Sequence, residues 1–169
     1  LLGESPPSLP MVIDADGLNN LSGLDEWWRR LAAPVVLTPH PGEMATLTGL
    51  STAEIQGDRI NSARHWSRHW NATVVLKGAH TLIAEPRGMV RVSPFANPGL
   101  ASGGTGDVLA GIIAGLIAQG LPLDLAASCG VFIHGLAGEA VRDRIGDTGS
   151  IASDLVELLP ETIHDLKLA

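Results

Sequence analysis

The chain is 169 residues long, 45% hydrophobic and 17% charged, which is enough apolar material for one packed domain and argues against disorder. Lys and Arg number 11 against 18 Asp and Glu, a net charge of −7, so binding to nucleic-acid backbones or to an anionic membrane surface is not expected. Cys129 is the only cysteine, which excludes an internal disulfide and a cysteine zinc cage and suits a reducing, cytoplasmic setting.

In chain order, residues 1–9 read as a loop or frayed end around Gly3, Pro6 and Pro7. They carry no basic stretch, so a signal peptide is not expected, and the lack of an initiator Met suggests a piece of a longer chain. Met11-Val12-Ile13 reads as a buried strand running into the polar turn Asp14-Ala15-Asp16-Gly17. Asp25 to Leu31 reads as a short helix, and Pro34 to Thr38 as a second buried strand, stopped by Pro39-His40-Pro41-Gly42. A helix from Glu43 to Thr48 ends at Gly49, and Thr52 reads as the N-cap of the next, with Glu54 in its first turn. From Asp58 to Trp70, the residues Ile60, Ala63, Trp66 and Trp70 fall on one helical face.

Thr73 to Leu76 is a third buried strand, ending at Lys77-Gly78. His80–Ala84 and Met89–Val92 flank Glu85-Pro86-Arg87-Gly88, which fits a type I turn and gives a hairpin. Asp107 to Gln119 and Leu123 to Arg144 read as apolar helices, and a last helix from Ser153 to Leu159 is interrupted by Pro160. The longest apolar run, Val108 to Ala118, falls short of the roughly 20 residues a bilayer span needs. Short, doubly apolar strands alternating with helices predict an α/β fold, with a mostly parallel sheet covered on both faces and an antiparallel hairpin at one edge. Ligands in such sheets bind beyond the C-terminal strand ends. There the sequence places Asp14, Asp16 and Asn19, then His40 and Glu43, then Lys77-Gly78.

The most informative stretch is Asn97-Pro98-Gly99-Leu100-Ala101-Ser102-Gly103-Gly104-Thr105-Gly106-Asp107, which opens into an apolar helix. Gly103, Gly104 and Gly106 allow a tight turn and close backbone approach. The helix start adds free N–H groups and a partial positive charge, a setting for phosphate oxygens. Asp107 would be repelled by phosphate and should therefore face a second ligand, such as a hydroxyl receiving a phosphoryl group. The plainer alternative is a tight turn with an acidic first-turn residue. No Gly-Lys-Ser/Thr follows, so this is not a Walker loop.

Other signals have structural as well as functional readings. Asp14 and Asp16 fit a carboxylate pair or backbone-capping residues. Lys77 fits a phosphate partner or a solvated strand end, and His40 a ligand contact or a rigid turn residue. His65 and His69, four apart and flanked by Arg64 and Arg68, read as a solvated helix face. His134 reads as a satisfied core histidine, with approach to a nucleotide as the functional reading. The small residues Ala110, Gly111, Ala114, Gly115 and Ala118 are expected to pack closely on the sheet, and the four tryptophans to pack helix faces.

Four segments together resemble the ADP-dependent NAD(P)H-hydrate dehydratase family of the ribokinase-like superfamily. They are Val12–Asn19, Leu37-Thr38-Pro39-His40-Pro41-Gly42-Glu43, Val75-Leu76-Lys77-Gly78-Ala79-His80-Thr81, and Asn97–Asp107. The resemblance implies a ribokinase-like three-layer sandwich and ADP- or ATP-driven dehydration of hydrated NADH and NADPH, with Mg²⁺. It implies Asp107 as the catalytic residue, with His40 and Asp107 against the hydrate; Asn19 and Asp14 are read from their place after the first strand as wall of the substrate site. It assigns Lys77, Gly78, Ala79, His80, Thr81 and Gly106 to the adenine nucleotide, with Gly103, Gly104 and Thr105 joining them as the rest of the Gly-rich anion turn, and Glu43 to Mg²⁺ through water. A homo-oligomer is implied as well. Members of the family carry a longer N-terminal portion with a further Gly-rich region and a Gly-Pro-Gly turn. Residues 1–169 are therefore expected to be the C-terminal portion of one dehydratase domain, without its first strands and with weak or no turnover alone. A small-molecule kinase of the same superfamily and a non-catalytic nucleotide-binding module are the alternatives.

Overall fold

The computed structural model describes residues 9–146 and 148–168, so the loop expected over residues 1–9 lies outside it except for Leu9. Five strands form one sheet in the order β1 (Met11–Ile13), β2 (Val35–Leu37), β3 (Thr73–Leu76), β4 (Leu82–Ala84) and β5 (Val90–Val92). The first three are parallel, and β4 and β5 add antiparallel on the far side of β3. The hairpin closes where Gly88 N–H donates to Glu85 O at 2.8 Å.

Period-two alternation splits the strands between two cores. Val35, Leu37, Val74, Leu76, Leu82 and Ala84 point to one face. There they meet α1 (Asp16–Ser22), α2 (Pro41–Thr48), α3 (Thr52–Gly57) and α4 (Arg59–Trp70) through residues such as Leu18, Met44, Ile55 and Trp70. Val36, Val75 and Ile83 point to the other face, against Leu109 and Ile113 of α5 (Thr105–Ala118) and Ala126, Ala127 and Val131 of α6 (Leu123–Ile145). A smaller cluster of Ala137, Val141 and Leu155 seats α7 (Ala152–Leu168) on α6. This is the expected three-layer α/β/α arrangement.

Several local expectations are corrected. Asp25–Leu31 is not an α-helix; only Trp27–Arg30 forms a 3-10 turn, entered through Glu26 at φ 47°. Ser51, not Thr52, is the N-cap of α3, in a reciprocal capping box with Glu54. Ile60 is 43% exposed, because the buried stripe of α4 runs through Ala63, Ser67 and Trp70. Ser67 is buried without penalty because its hydroxyl lies within hydrogen-bond distance of Ala72 O and Ala84 O.

α7 continues through Pro160, which sits on its exposed side, where water can satisfy the carbonyl one turn earlier. The small-residue face of α5 does not pack on the sheet: a Cβ added at Gly111 or Gly115 would meet nothing within 4 Å. The close helix packing belongs to α6 instead, where a Cβ at Gly130 would lie 2.6 Å from Ile113 and one at Gly138 2.7 Å from Leu100.

Candidate functional site

The parallel strands deliver their C-terminal ends to one rim of the sheet. A cavity of about 670 Å³ lies there, walled by the residues after β1, β2 and β3, by the 95–107 segment and by α6. Another cavity of about 730 Å³ opens at the opposite rim, beside Trp28, Trp70, Glu85 and Arg87. Its buried acid, Glu85, is already ion-paired with Arg91. The chemistry-bearing motifs converge on the first cavity.

β1 ends at Asp14, whose Oδ1 accepts from its neighbour Ala15 N at 2.9 Å and from Lys77 Nζ at 2.7 Å. Ala15 holds φ 47°, a region that costs a non-glycine residue about 1–3 kcal/mol, and it lies on the cavity wall. After β2, His40 is the N-cap of α2. Its Nδ1 accepts from Gly42 N at 3.0 Å and Glu43 N at 3.1 Å, while Glu43 Oε2 accepts from His40 N at 2.7 Å. Glu43 is buried, and Lys77 Nζ stands 3.5 Å from its Oε2.

β3 ends in the loop Lys77-Gly78-Ala79. Thr81 Oγ1 donates back to Gly78 O at 3.0 Å. Beyond the hairpin, the 3-10 turn Pro98–Ala101 leads to Gly104, the left-handed N-cap of α5 at φ 85°. Thr105 spends its hydroxyl inside the turn, within hydrogen-bond distance of Leu100 O (2.6 Å) and Ser102 O (2.8 Å). The amides of Gly106 and Asp107 are left at the helix start without protein acceptors among the described residues. A Cβ at Gly106 would sit 3.4 Å from Lys77 Nζ and 3.5 Å from Asp14 Oδ2, so this glycine brings the helix start up to the ion pair. Asp107 follows, exposed and lining the cavity, and its carboxylate has no protein partner among the described residues.

Of the residues singled out from sequence, Asp14, His40, Lys77, Gly78, Ala79, Thr81, Gly104, Thr105, Gly106 and Asp107 line this one cavity. Asn19 sits exposed on α1, away from the wall. Gly103 is exposed beside the turn. His80 turns toward the segment after β5, with its N–H on Phe95 O at 2.9 Å and Nδ1 3.1 Å from Ser93 O. Asp16 does not join Asp14; it begins α1.

Asn97 and Leu100 of the Gly-rich stretch and Phe95, which the sequence does not single out, supply wall on the α6 side. The legible signal was Gly135, where a Cβ would lie 2.1 Å from Phe95. His134 also faces this cavity, with Nε2 2.9 Å from Thr105 O; burial holds its pKa below the ordinary histidine value, and the contact with that carbonyl offsets only part of this.

The donor set does not make a resident metal site. The described residues contain no group of three or more His, Cys, Asp or Glu placed to hold a metal, and Glu43 is engaged with the His40 amide and Lys77. A divalent cation at this cavity would depend on oxygens brought by a phosphate ligand and on water.

The comparisons agree with this arrangement. The family model described as NAD(P)H-hydrate dehydratase matches residues 5–161. The bifunctional NAD(P)H-hydrate repair enzyme Nnr of Moorella thermoacetica is 46% identical over 159 residues, 94% of this chain and 30% of that one. The ADP/ATP-dependent NAD(P)H-hydrate dehydratase of Bacillus subtilis, co-crystallised with ATP/Mg²⁺ and soaked with CoA, superposes with a TM-score of 0.86. It is 32% identical, over 95% of this chain and 57% of that one. A ribokinase-like superfamily protein of Enterococcus faecalis superposes with a TM-score of 0.77 at 29% identity, over 91% of this chain and 52% of that one. This chain thus spans less than two thirds of each. The motifs, the sheet order and the match across residues 5–161 agree, and the chain belongs to the NAD(P)H-hydrate dehydratase family.

Proposed function

We infer that this chain carries the nucleotide- and substrate-facing rim of an enzyme that uses ADP or ATP to dehydrate hydrated NADH or NADPH. The observation that carries this reading is Asp107. Among the described residues its carboxylate is unpartnered; it is exposed to the cavity, one residue from Gly106, which packs against the Lys77–Asp14 pair. A carboxylate left free beside an anion-binding helix start suits a group that orients a hydroxyl.

In the proposed sequence the ring hydroxyl oxygen of the hydrate attacks the terminal phosphorus of the nucleotide. The bridging P–O bond breaks, and Asp107 takes the hydroxyl proton. The ring C–O bond of this phosphoester then breaks, inorganic phosphate leaves with the former hydroxyl oxygen, and the ring nitrogen lone pair stabilises the cation. Loss of a proton from the adjacent ring carbon restores the double bond. Amides at Gly78, Ala79 and Gly106 would hold phosphate oxygens, His40 and Asp14 would flank the hydrate, and Phe95 and Leu100 offer an apolar wall to a flat ring. Mg²⁺ would enter with the phosphates and neutralise part of their charge.

The same reading treats residues 1–169 as the C-terminal portion of one domain. It is supported by the coverage of 57% of the dehydratase structure and by the edge strand β1, paired on one side only among the described residues. A cytoplasmic location is supported by the single cysteine. No helix among the described residues is long and apolar enough to cross a membrane. A homo-oligomer is supported by Val92 and Phe132, half-exposed at an apolar groove beside β5.

The test supplies the full-length protein with hydrated NADH, ADP or ATP, and Mg²⁺. Recovery of NADH absorbance with release of inorganic phosphate is expected. Asp107→Asn should lower that rate at least about a hundredfold while nucleotide affinity is kept. A stable phosphoester would indicate a kinase instead, and nucleotide binding without turnover a non-catalytic module.

A further inference from the structure

Lys77 is the obvious cation for a phosphate in this cavity, yet its ammonium is already held by Asp14 at 2.7 Å, with Glu43 at 3.5 Å. A different cation is built into the loop from behind. Arg59, the first residue of α4, reaches across to the segment after β3. Its Nη1 donates to Ala79 O at 2.6 Å, and its Nη2 to Leu76 O at 3.3 Å and Lys77 O at 3.4 Å. None of the ion pairs among the described residues includes Arg59. Its Nε is buried without a partner among the described residues. Burial pulls the guanidinium pKa below its ordinary value, and no carboxylate offsets this.

This clamp dictates where the loop amides point. In a trans peptide the C=O and the next N–H lie on opposite sides. Arg59 draws the carbonyls of Leu76, Lys77 and Ala79 to its own side, and Thr81 takes the carbonyl of Gly78. The Lys77 amide is used by Pro39 O at 2.8 Å and the His80 amide by Phe95 O at 2.9 Å. The amides of Gly78 and Ala79 have no protein acceptor among the described residues, and both residues line the cavity. Gly78 at φ 140° also leaves room for the clamp, since a Cβ there would lie 3.0 Å from Nη2. Consecutive free amides backed by a cation form a concave anion site.

We propose that Arg59 is a positioning residue for the phosphate tail of the nucleotide: by holding the Leu76, Lys77 and Ala79 carbonyls it fixes the loop so that the Gly78 amide, next to the Ala79 amide that Thr81 orients, faces phosphate oxygens, and it supplies positive potential that Lys77, held by carboxylates, does not. The proposal rests on the nucleotide reading of this cavity. It concerns recognition only and adds no chemical step. Lysine cannot replace the planar fork that spans three carbonyls, so charge alone should not suffice.

The experiment measures binding of ADP and of adenosine to the wild-type full-length protein, Arg59→Lys and Arg59→Ala by calorimetry, with near-UV circular dichroism confirming the fold. Both variants are expected to lose ADP affinity about tenfold or more, a loss of the size that charge-assisted hydrogen bonds confer, while adenosine affinity stays within about twofold. Methylguanidinium should restore part of the ADP affinity of Arg59→Ala. ADP affinity unchanged in a folded Arg59→Ala, or equal losses for ADP and adenosine, would overturn the proposal. Wild-type protein that binds neither ADP nor ATP would remove the nucleotide reading and this inference with it, and is distinguishable from the first outcome. Should the variants fail to fold, amide NMR of the wild-type protein decides: ADP, but not adenosine, should shift the Gly78 and Ala79 N–H signals, and unmoved signals at saturation would reject the assignment.

Discussion

Lys77 Nζ and Asp14 Oδ1 meet at 2.7 Å across 63 residues of sequence, joining the ends of β3 and β1 at the mouth of the cavity. The side chains are 19% and 10% exposed, so the pair is partly desolvated but not sealed. It ties two strands that have no direct pairing, because β2 lies between them. The same contact takes the ammonium out of simple competition for an anionic ligand.

Two substitutions should therefore act with opposite sign on anion binding. Lys77→Met leaves Asp14 and Glu43 uncompensated and should weaken ADP binding about tenfold or more; Asp14→Asn frees the ammonium and should strengthen it a few-fold. Both should lower stability, by about 1–2 kcal/mol for Lys77→Met, less than the ~3–5 kcal/mol of a fully buried pair because water still reaches both groups. Calorimetric titration and urea unfolding check the two halves. A loss of affinity in Asp14→Asn would place the carboxylate, not the ammonium, against the ligand.

Gly106→Ala should separate binding from folding. The added methyl would sit 3.4 Å from Lys77 Nζ and 3.5 Å from Asp14 Oδ2, which is ordinary contact, so the helix need not move. Alanine also suits a helix better than glycine by up to about 1 kcal/mol. The methyl takes space beside Lys77 on the cavity side of the helix start, and ADP affinity should fall about tenfold, one lost charge-assisted hydrogen bond or more. Unfolding midpoints unchanged or raised, with binding reduced, are the expected result.

The sequence carried the frame of this site but not its wiring. Strands such as Val35-Val36-Leu37 and Val74-Val75-Leu76 are apolar at every position because helices cover both faces, and that is visible in one line of sequence. The motifs after each strand converge for the same topological reason. What could not be read were contacts between side chains far apart in sequence: Lys77 with Asp14, Arg59 with the 76–79 carbonyls, His134 with Thr105. The sequence suggests the wrong buried side for α5 because Gly111, Ala114 and Gly115 resemble a packing face by size, whereas the large residues Leu109 and Ile113 decide which side is buried. Pro160 reads as a helix end because propensity says nothing about whether the released carbonyl faces water.

His134 gives the fold a pH dependence. Burial depresses its pKa, so at neutral pH it is uncharged, with Nε2 on Thr105 O at 2.9 Å. The unfolded chain binds this proton near the ordinary value of about 6.5, while the folded chain resists it. The stabilising term is therefore complete above that value and is lost as the pH falls from it through the depressed folded value. Urea unfolding at several pH values should show the wild type losing stability on acidification faster than His134→Gln. Parallel pH profiles for the two proteins would show that another group is responsible.

The two kinds of helix glycine should respond in opposite directions to alanine. At Gly111 and Gly115 an added Cβ meets nothing within 4 Å, so the change only reduces the freedom of the unfolded chain and improves helix propensity. Each should raise stability by about 0.4–1 kcal/mol. At Gly135 the Cβ would lie 2.1 Å from the Phe95 ring, a contact that α6 can relieve only by moving away from the cavity wall or by displacing the ring. Gly135→Ala should cost about 1–3 kcal/mol, as overpacking does, and weaken ligand binding as well. Thermal unfolding of the three single variants checks the signs. Gly135→Ala as stable as the wild type would show that the Phe95 wall gives way freely, and Phe95 would then not define the shape of the cavity.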